Sequence, residues 1–155
     1  FPAIRLAELA MLVHTSDRLF TRVRDAASSK EIRSLFEVTA NDYWHYHYQM
    51  DSKAGFKKKK TGASMQDSLL INTVAPVLFC YASFYNYPHY QEKAMECLEA
   101  ASCENNAIVR GFKILGTICA SARDSQALIE LRNEYCNKKR CLECAVGNAL
   151  LREES

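Results

Sequence analysis

Glycine and proline are scarce in this chain of 155 residues, at five and three respectively. With 48% hydrophobic and 25% charged residues besides, that scarcity excludes a disordered or a fibrous chain. Excess charge of either sign is missing too. Lys and Arg number 20 against 18 Asp and Glu, a net +2, too little to announce a nucleic-acid or membrane partner by charge alone. The sequence has no Gly-rich phosphate loop, no nucleophile elbow and no His-Glu-x-x-His pair. The most apolar stretch, residues 69–82, is broken by Asn72, Thr73 and Pro76. It falls short of the ~20 residues a membrane span needs. The start Phe1-Pro2-Ala3-Ile4-Arg5 lacks the basic head and unbroken apolar run of a signal peptide. Its opening on Phe rather than Met reads as a piece of a longer protein.

What remains is helical periodicity, and it predicts an all-α fold: one orthogonal bundle of six or seven helices in a single domain over residues 1–155. Leu6, Leu9, Ala10 and Val13 recur at helical spacing behind Pro2, a residue the first turn tolerates. Asp17 is positioned to cap a second helix. Ser28 and Glu31 read as a capping box for a third, and Ser64 to Asp67 as a similar signal. The stretch 69–85 is apolar nearly all round, which predicts the central, most buried helix, kinked or divided at Pro76. Pro88 opens the next, with Tyr90, Ala94, Cys97, Leu98 and Ala101 as its stripe. Asn105 and Asp124 are positioned to cap two more, carrying Ile108, Phe112, Leu115 and Cys119, then Leu128, Leu131 and Tyr135. Gly111 and Gly116 offer close approach to a neighbour. Lys138, Lys139 and Arg140 place cations where a helix dipole favours them. A last short helix carries Leu142, Ala145, Val146, Ala149 and Leu150.

Seven cysteines are the abnormal count. An odd number cannot all pair within the chain, and a domain of this size does not require disulfides. Cys80, Cys97, Cys103 and Cys119 read as small core residues, and the compartment as reducing and cytoplasmic. Cys136, Cys141 and Cys144 form a C-x4-C-x2-C run with cations between, a spacing able to wrap zinc or an iron–sulfur cluster. A closed structural site needs a fourth ligand. No Cys or His follows in the remaining eleven residues, so Cys119 or a distant His would have to fold back. The competing reading, two packed cysteines in a helix–turn–helix, is preferred: no cofactor, with zinc or iron–sulfur as the alternative.

A second constellation lies at residues 43–62. Tyr43-Trp44-His45-Tyr46-His47-Tyr48-Gln49-Met50 alternates like a strand. Trp44, Tyr46, Tyr48 and Met50 then share one face, and Tyr43, His45, His47 and Gln49 the other. Lys57, Lys58, Lys59 and Lys60 follow between Gly55 and Gly62, in what reads as an exposed, mobile loop. Rings that stack bases beside lysines that follow phosphates are the parts of a single-stranded nucleic-acid platform. Trp44, His45, His47 and Lys57 to Lys60 are therefore the candidate binding residues. His45 and His47 alone make a poor metal site, lacking a third ligand. The plainer alternative is a hairpin whose Trp44 face seals the core. Catalytic residues are none: Glu99, Glu104 and Asp124 are explained as caps, and His14 and His89 are isolated.

Several blocks together resemble a known family. They are residues 124–131, Asn133 to Cys136, Lys139 to Cys144 and Gly147, with 1–7, Tyr43-Trp44, His47-Tyr48, 70–76 and Glu104 to Asn106. In these the chain resembles the bacterial domain-of-unknown-function family twenty-eight fifty-one. The resemblance implies a cytoplasmic bacterial protein whose relatives are longer, with this chain as their C-terminal helical part. It also implies a strand-rich N-terminal portion against which this part packs. The family has no established activity, so no functional residue is carried over, and the three C-terminal cysteines come as a motif rather than a metal site. The expected function is a non-catalytic accessory or interaction domain, with no membrane partner. The alternatives are the nucleic-acid module and the cysteine-based metal module.

Overall fold

The computed structural model describes residues 2–153. The fold is all-α, with nine helices and a single two-stranded hairpin among the described residues. Packing groups the chain into two compact units, Phe1–Ala100 and Ala101–Ser155, each taken in turn.

In the first unit, α1 (Pro2–Thr15) buries Ile4, Ala7, Glu8 and Leu12. The expected stripe is the outer one: Leu6, Leu9 and Val13 are exposed. The buried stripe includes an acid, Glu8, whose desolvation is offset by Arg5 at 2.7 Å. Helix α2 (Leu19–Asp25) starts from Arg18 in the left-handed region rather than from Asp17. Helix α3 (Ser29–Leu35) is capped as expected: the Ser28 hydroxyl accepts the Glu31 N–H at 3.2 Å, and Glu31 accepts the Ala27 N–H at 2.8 Å. A single turn, α4 (Asp42–His45), precedes the hairpin of β1 (His47–Gln49) and β2 (Ser52–Lys53).

Helix α5 (Ala63–Tyr85) runs 23 residues. Its start is Gly62, and the Ser64–Asp67 signal does not act as a cap. Asp67 instead turns inward to Arg33 on α3, at 2.5 Å. Pro76 does not divide the helix. A π-helical turn, Leu70–Val74, lies just before it, where Ala75 N–H reaches five residues back to the Leu70 carbonyl. Widening the helix by one residue absorbs the proline's missing donor and its steric demand. Asn86 in the left-handed region ends α5, and Pro88 starts α6 (Pro88–Ala100) two residues later, so α6 returns against α5 as a helical hairpin. Leu78 and Ala82 on α5 and Ala94 and Cys97 on α6 are all essentially inaccessible, and the two helices pack against each other. Among the described residues α5 alone is long and apolar enough to cross a membrane by length and composition, and one side of it forms this core.

In the second unit, α7 (Ala107–Ile114) is capped by Asn106, whose side chain accepts the Val109 N–H at 2.9 Å, one residue beyond the expected Asn105. Helix α8 covers residues 122–136, the part from Leu131 to Cys136 being π-helical. Ser121 is its cap and Asp124 the partner within the first turn, accepting the Ala120 N–H at 2.8 Å and the Ser121 N–H at 3.2 Å. A 3-10 turn (Cys141–Glu143) leads into α9 (Ala145–Glu153). Gly111 and Gly116 have nothing close enough to require a glycine by contact, though Gly116 adopts φ +88°. Gly147 does require one, because a methyl there would meet the Cys141 carbonyl oxygen at 2.3 Å. Cys103 and Cys119 are joined in a disulfide. That corrects the expectation of free core thiols at both positions.

Candidate functional site

The aromatic and lysine segment folds differently from the expected strand and loop. Residues 42–45 form a helical turn, so Tyr43 to Met50 cannot share two alternating faces. Tyr43 lies flat on His47, centroids 3.9 Å apart, and His47 Nδ1 donates to the Tyr43 carbonyl at 2.7 Å. Trp44 is half-buried, edge-on to Tyr43. His45 is buried, and its Nδ1 accepts the Lys59 N–H at 3.2 Å.

The four lysines are placed in three different ways. Lys59, expected in a mobile loop, is only 6% exposed. Its ammonium donates to the carbonyls of His45 at 3.5 Å and Lys57 at 3.1 Å, and lies 3.9 Å from the centre of the Tyr48 ring. Its own carbonyl accepts the Ala40 N–H at 2.9 Å. The segment is thus pinned to residues 39–45 by its backbone and by one buried cation. Lys60 pairs with Glu37 at 3.5 Å, while Lys57 and Lys58 stay exposed. Replacing Lys59 by alanine is expected to cost about 2 kcal/mol, from two hydrogen bonds to a charged group and a cation–π contact. Lys58→Ala is expected to stay within about 0.5 kcal/mol. Parallel urea titrations of the two variants check this difference.

The cysteine run does not converge. Cys136 and Cys141 are exposed and Cys144 is buried. Among the described residues no group of three His, Cys, Asp or Glu side chains is placed to hold a metal. Cys119 is committed to Cys103 and is not the missing fourth ligand.

The structure exposes a surface that sequence reasoning missed. Because α5 is apolar nearly all round but buried on one side only, its other side reaches solvent. Val77, Cys80, Tyr81 and Phe84 line a shallow groove of about 460 Å³ with Phe20, Pro76 and Tyr85. Phe84 is 82% exposed. The rings form a continuous ridge around Tyr81, which lies 5.2 Å from Phe20, 4.7 Å from Tyr85 and 5.2 Å from Tyr90. Tyr87 extends it, stacked on Tyr85 at 6.1 Å. The nearby cations are already engaged. Arg24 is held charged first by Asp25 and then by the Tyr81 hydroxyl, and in return keeps the Asp25 carboxyl below its ordinary value. Lys93 donates to the carbonyls of Arg24 and Ala26 at 2.5 and 2.7 Å. The signal in the sequence was the second apolar stripe, Val77, Cys80, Tyr81 and Phe84 at i, i+3, i+4 and i+7, hidden within a helix that reads as wholly buried.

Residues 1–107 match the family model described as Protein of unknown function (DUF2851). The chain belongs to this family. The matched span takes in the hairpin, the lysines and the whole aromatic ridge of this DUF2851 chain, and stops at the start of α7. It leaves out the cysteine run 136–144, the block on which the resemblance leaned most. No curated protein and no solved structure matches the chain.

Proposed function

We propose that this DUF2851 chain is a non-catalytic interaction domain that binds a protein partner through the aromatic ridge of α5 and α6. The exposed apolar side of α5 carries the proposal. A soluble surface rarely leaves a contiguous cluster of large rings in water without a use, and Tyr and Phe are the side chains enriched at protein interfaces. Arg24 and Lys93 are spent on internal partners, so the ridge presents rings and hydroxyls rather than free positive charge. That favours an apolar protein surface over a phosphate backbone.

A nucleic-acid module is the second reading, favoured by the exposed rings of Tyr46 and Phe56, 5.3 Å apart, beside exposed Lys53, Lys57 and Lys58. The metal module draws no support from thiols of which two are exposed and one buried. A cytoplasmic location belongs to the proposal through the five unpaired cysteines, and the Cys103–Cys119 disulfide weighs against it.

One experiment separates the two leading readings. In a clarified lysate of its own cells, the protein is expected to elute from a sizing column as a larger assembly. Phe84→Asp should release it to the size of the free chain, while nuclease treatment leaves the assembly intact. Collapse under nuclease would support the second reading, and an unshifted Phe84→Asp would count against the first.

A further inference from the structure

We infer that the second unit carries a binding pocket for an amphipathic carboxylate, a molecule with an acyl-like apolar body and an anionic head. The pocket has a volume of about 520 Å³, within the range of small-molecule sites. Its apolar wall is built from one face of α7 and the residue after it: Ala107, Ile108, Phe112 and Leu115. Gly111 leaves a gap in the middle of that wall, with nothing within 4 Å of where a side chain would begin.

The opposite wall is the π-helical end of α8, which contributes Arg132 and Cys136. Such π-turns are frequent at functional sites because they re-aim side chains out of the regular helical register. Among the described residues Arg132 is the only charged one in the lining. Its neighbours Lys138 and Arg140 are paired with Glu134 and Glu143. The site is an open groove: Arg132 and Leu115 are exposed, and among the described residues the Arg132 guanidinium faces solvent without a hydrogen-bonding or ion-pair partner from the protein. An apolar slot with one unpartnered, bidentate-capable cation and no acid selects a carboxylate head on an apolar body. The site is independent of the aromatic ridge, so each stands or falls alone.

The probes are decanoate and its uncharged counterpart decanol, titrated into the intact chain by calorimetry. One decanoate per chain is expected, bound about tenfold or more tightly than decanol, the margin of a charge-assisted pair. Arg132→Gln should bring decanoate down to the level of decanol. Gly111→Leu should fill the slot and abolish both, while melting no lower than the parent, because leucine is the better helix former. Decanoate should also slow alkylation of Cys136 and leave Cys80, in the first unit, unaffected. The proposal is overturned by the absence of saturable binding, by equal affinity for decanol, by undiminished binding to Gly111→Leu, or by equal protection of Cys80.

Discussion

Leu78→Ala is expected to cost about 3–4 kcal/mol and to lower the melting temperature of the chain by more than about 10 °C. Leu78 is fully buried on α5, which packs against α6. The other fully buried residues on these two helices include Ala82, Ala94 and Cys97, small side chains that leave little to fill the space a leucine vacates. The adjacent Val77 is turned about 100° around the helix to its exposed side, lining the aromatic groove. Val77→Ala should therefore stay within about 0.5 kcal/mol. Thermal melts of the two variants decide between a helix buried on one side and one buried all round. Comparable losses at both positions would contradict the one-sided burial from which the ridge derives.

The second large effect concerns the disulfide. Cys103 and Cys119 are 16 residues apart, and their bond closes a loop holding all of α7. Cys103→Ser, or reduction, is expected to destabilise the second unit by about 3 kcal/mol, the loop-closure value for that length. Thiol counting tests the pairing directly. Cys80, Cys136 and Cys141 are exposed and should react promptly in the folded protein. Cys97 and Cys144 are buried, and desolvation pushes the Cys97 thiol up to about 11, so it holds its proton and resists alkylation at neutral pH. Three thiols should react in the native state, five after unfolding and all seven after reduction. Seven without reductant would show that Cys103 and Cys119 are free.

How far the sequence could be read depended on whether the deciding contact was local. Ser28 as a cap and Pro88 as a helix start each follow from a few neighbouring residues, and each is where it was expected, whereas α8 ends at Cys136 with no cation in its last turn, so Lys138 to Arg140 lie beyond the helix. Asp67 illustrates the opposite case. In the sequence it completes a capping signal, whereas in the fold it faces Arg33, which lies on α3 much earlier in the chain. The buried side of α1 was misread because Glu8 made the true core stripe look polar. Only Arg5, one turn away, makes that burial tolerable.

The strand expected at 43–50 failed for a related reason. Aromatic crowding favours a strand, but the turn at 42–45 places Tyr43 over His47 and leaves His45 to receive Lys59. Four identical lysines in a row carry no hint of which one is buried, because that depends on His45 fourteen residues away. The disulfide was equally hidden, since pairing depends on two cysteines meeting across α7. The ridge was legible in principle. An all-round apolar helix in a chain this short has more apolar surface than α6 and its lesser contacts with α2 and α3 can cover.

The most direct test of the interaction reading is photocrosslinking in living cells from Phe84→p-benzoylphenylalanine, compared with the same replacement at Met50. Both side chains are well exposed, at 82% and 73%, but only Phe84 belongs to the ridge; Met50 sits at the hairpin turn. A discrete protease-sensitive, nuclease-resistant adduct from position 84 and none from position 50 is the predicted result. Equal yields at the two positions, or no adduct from position 84, would contradict it.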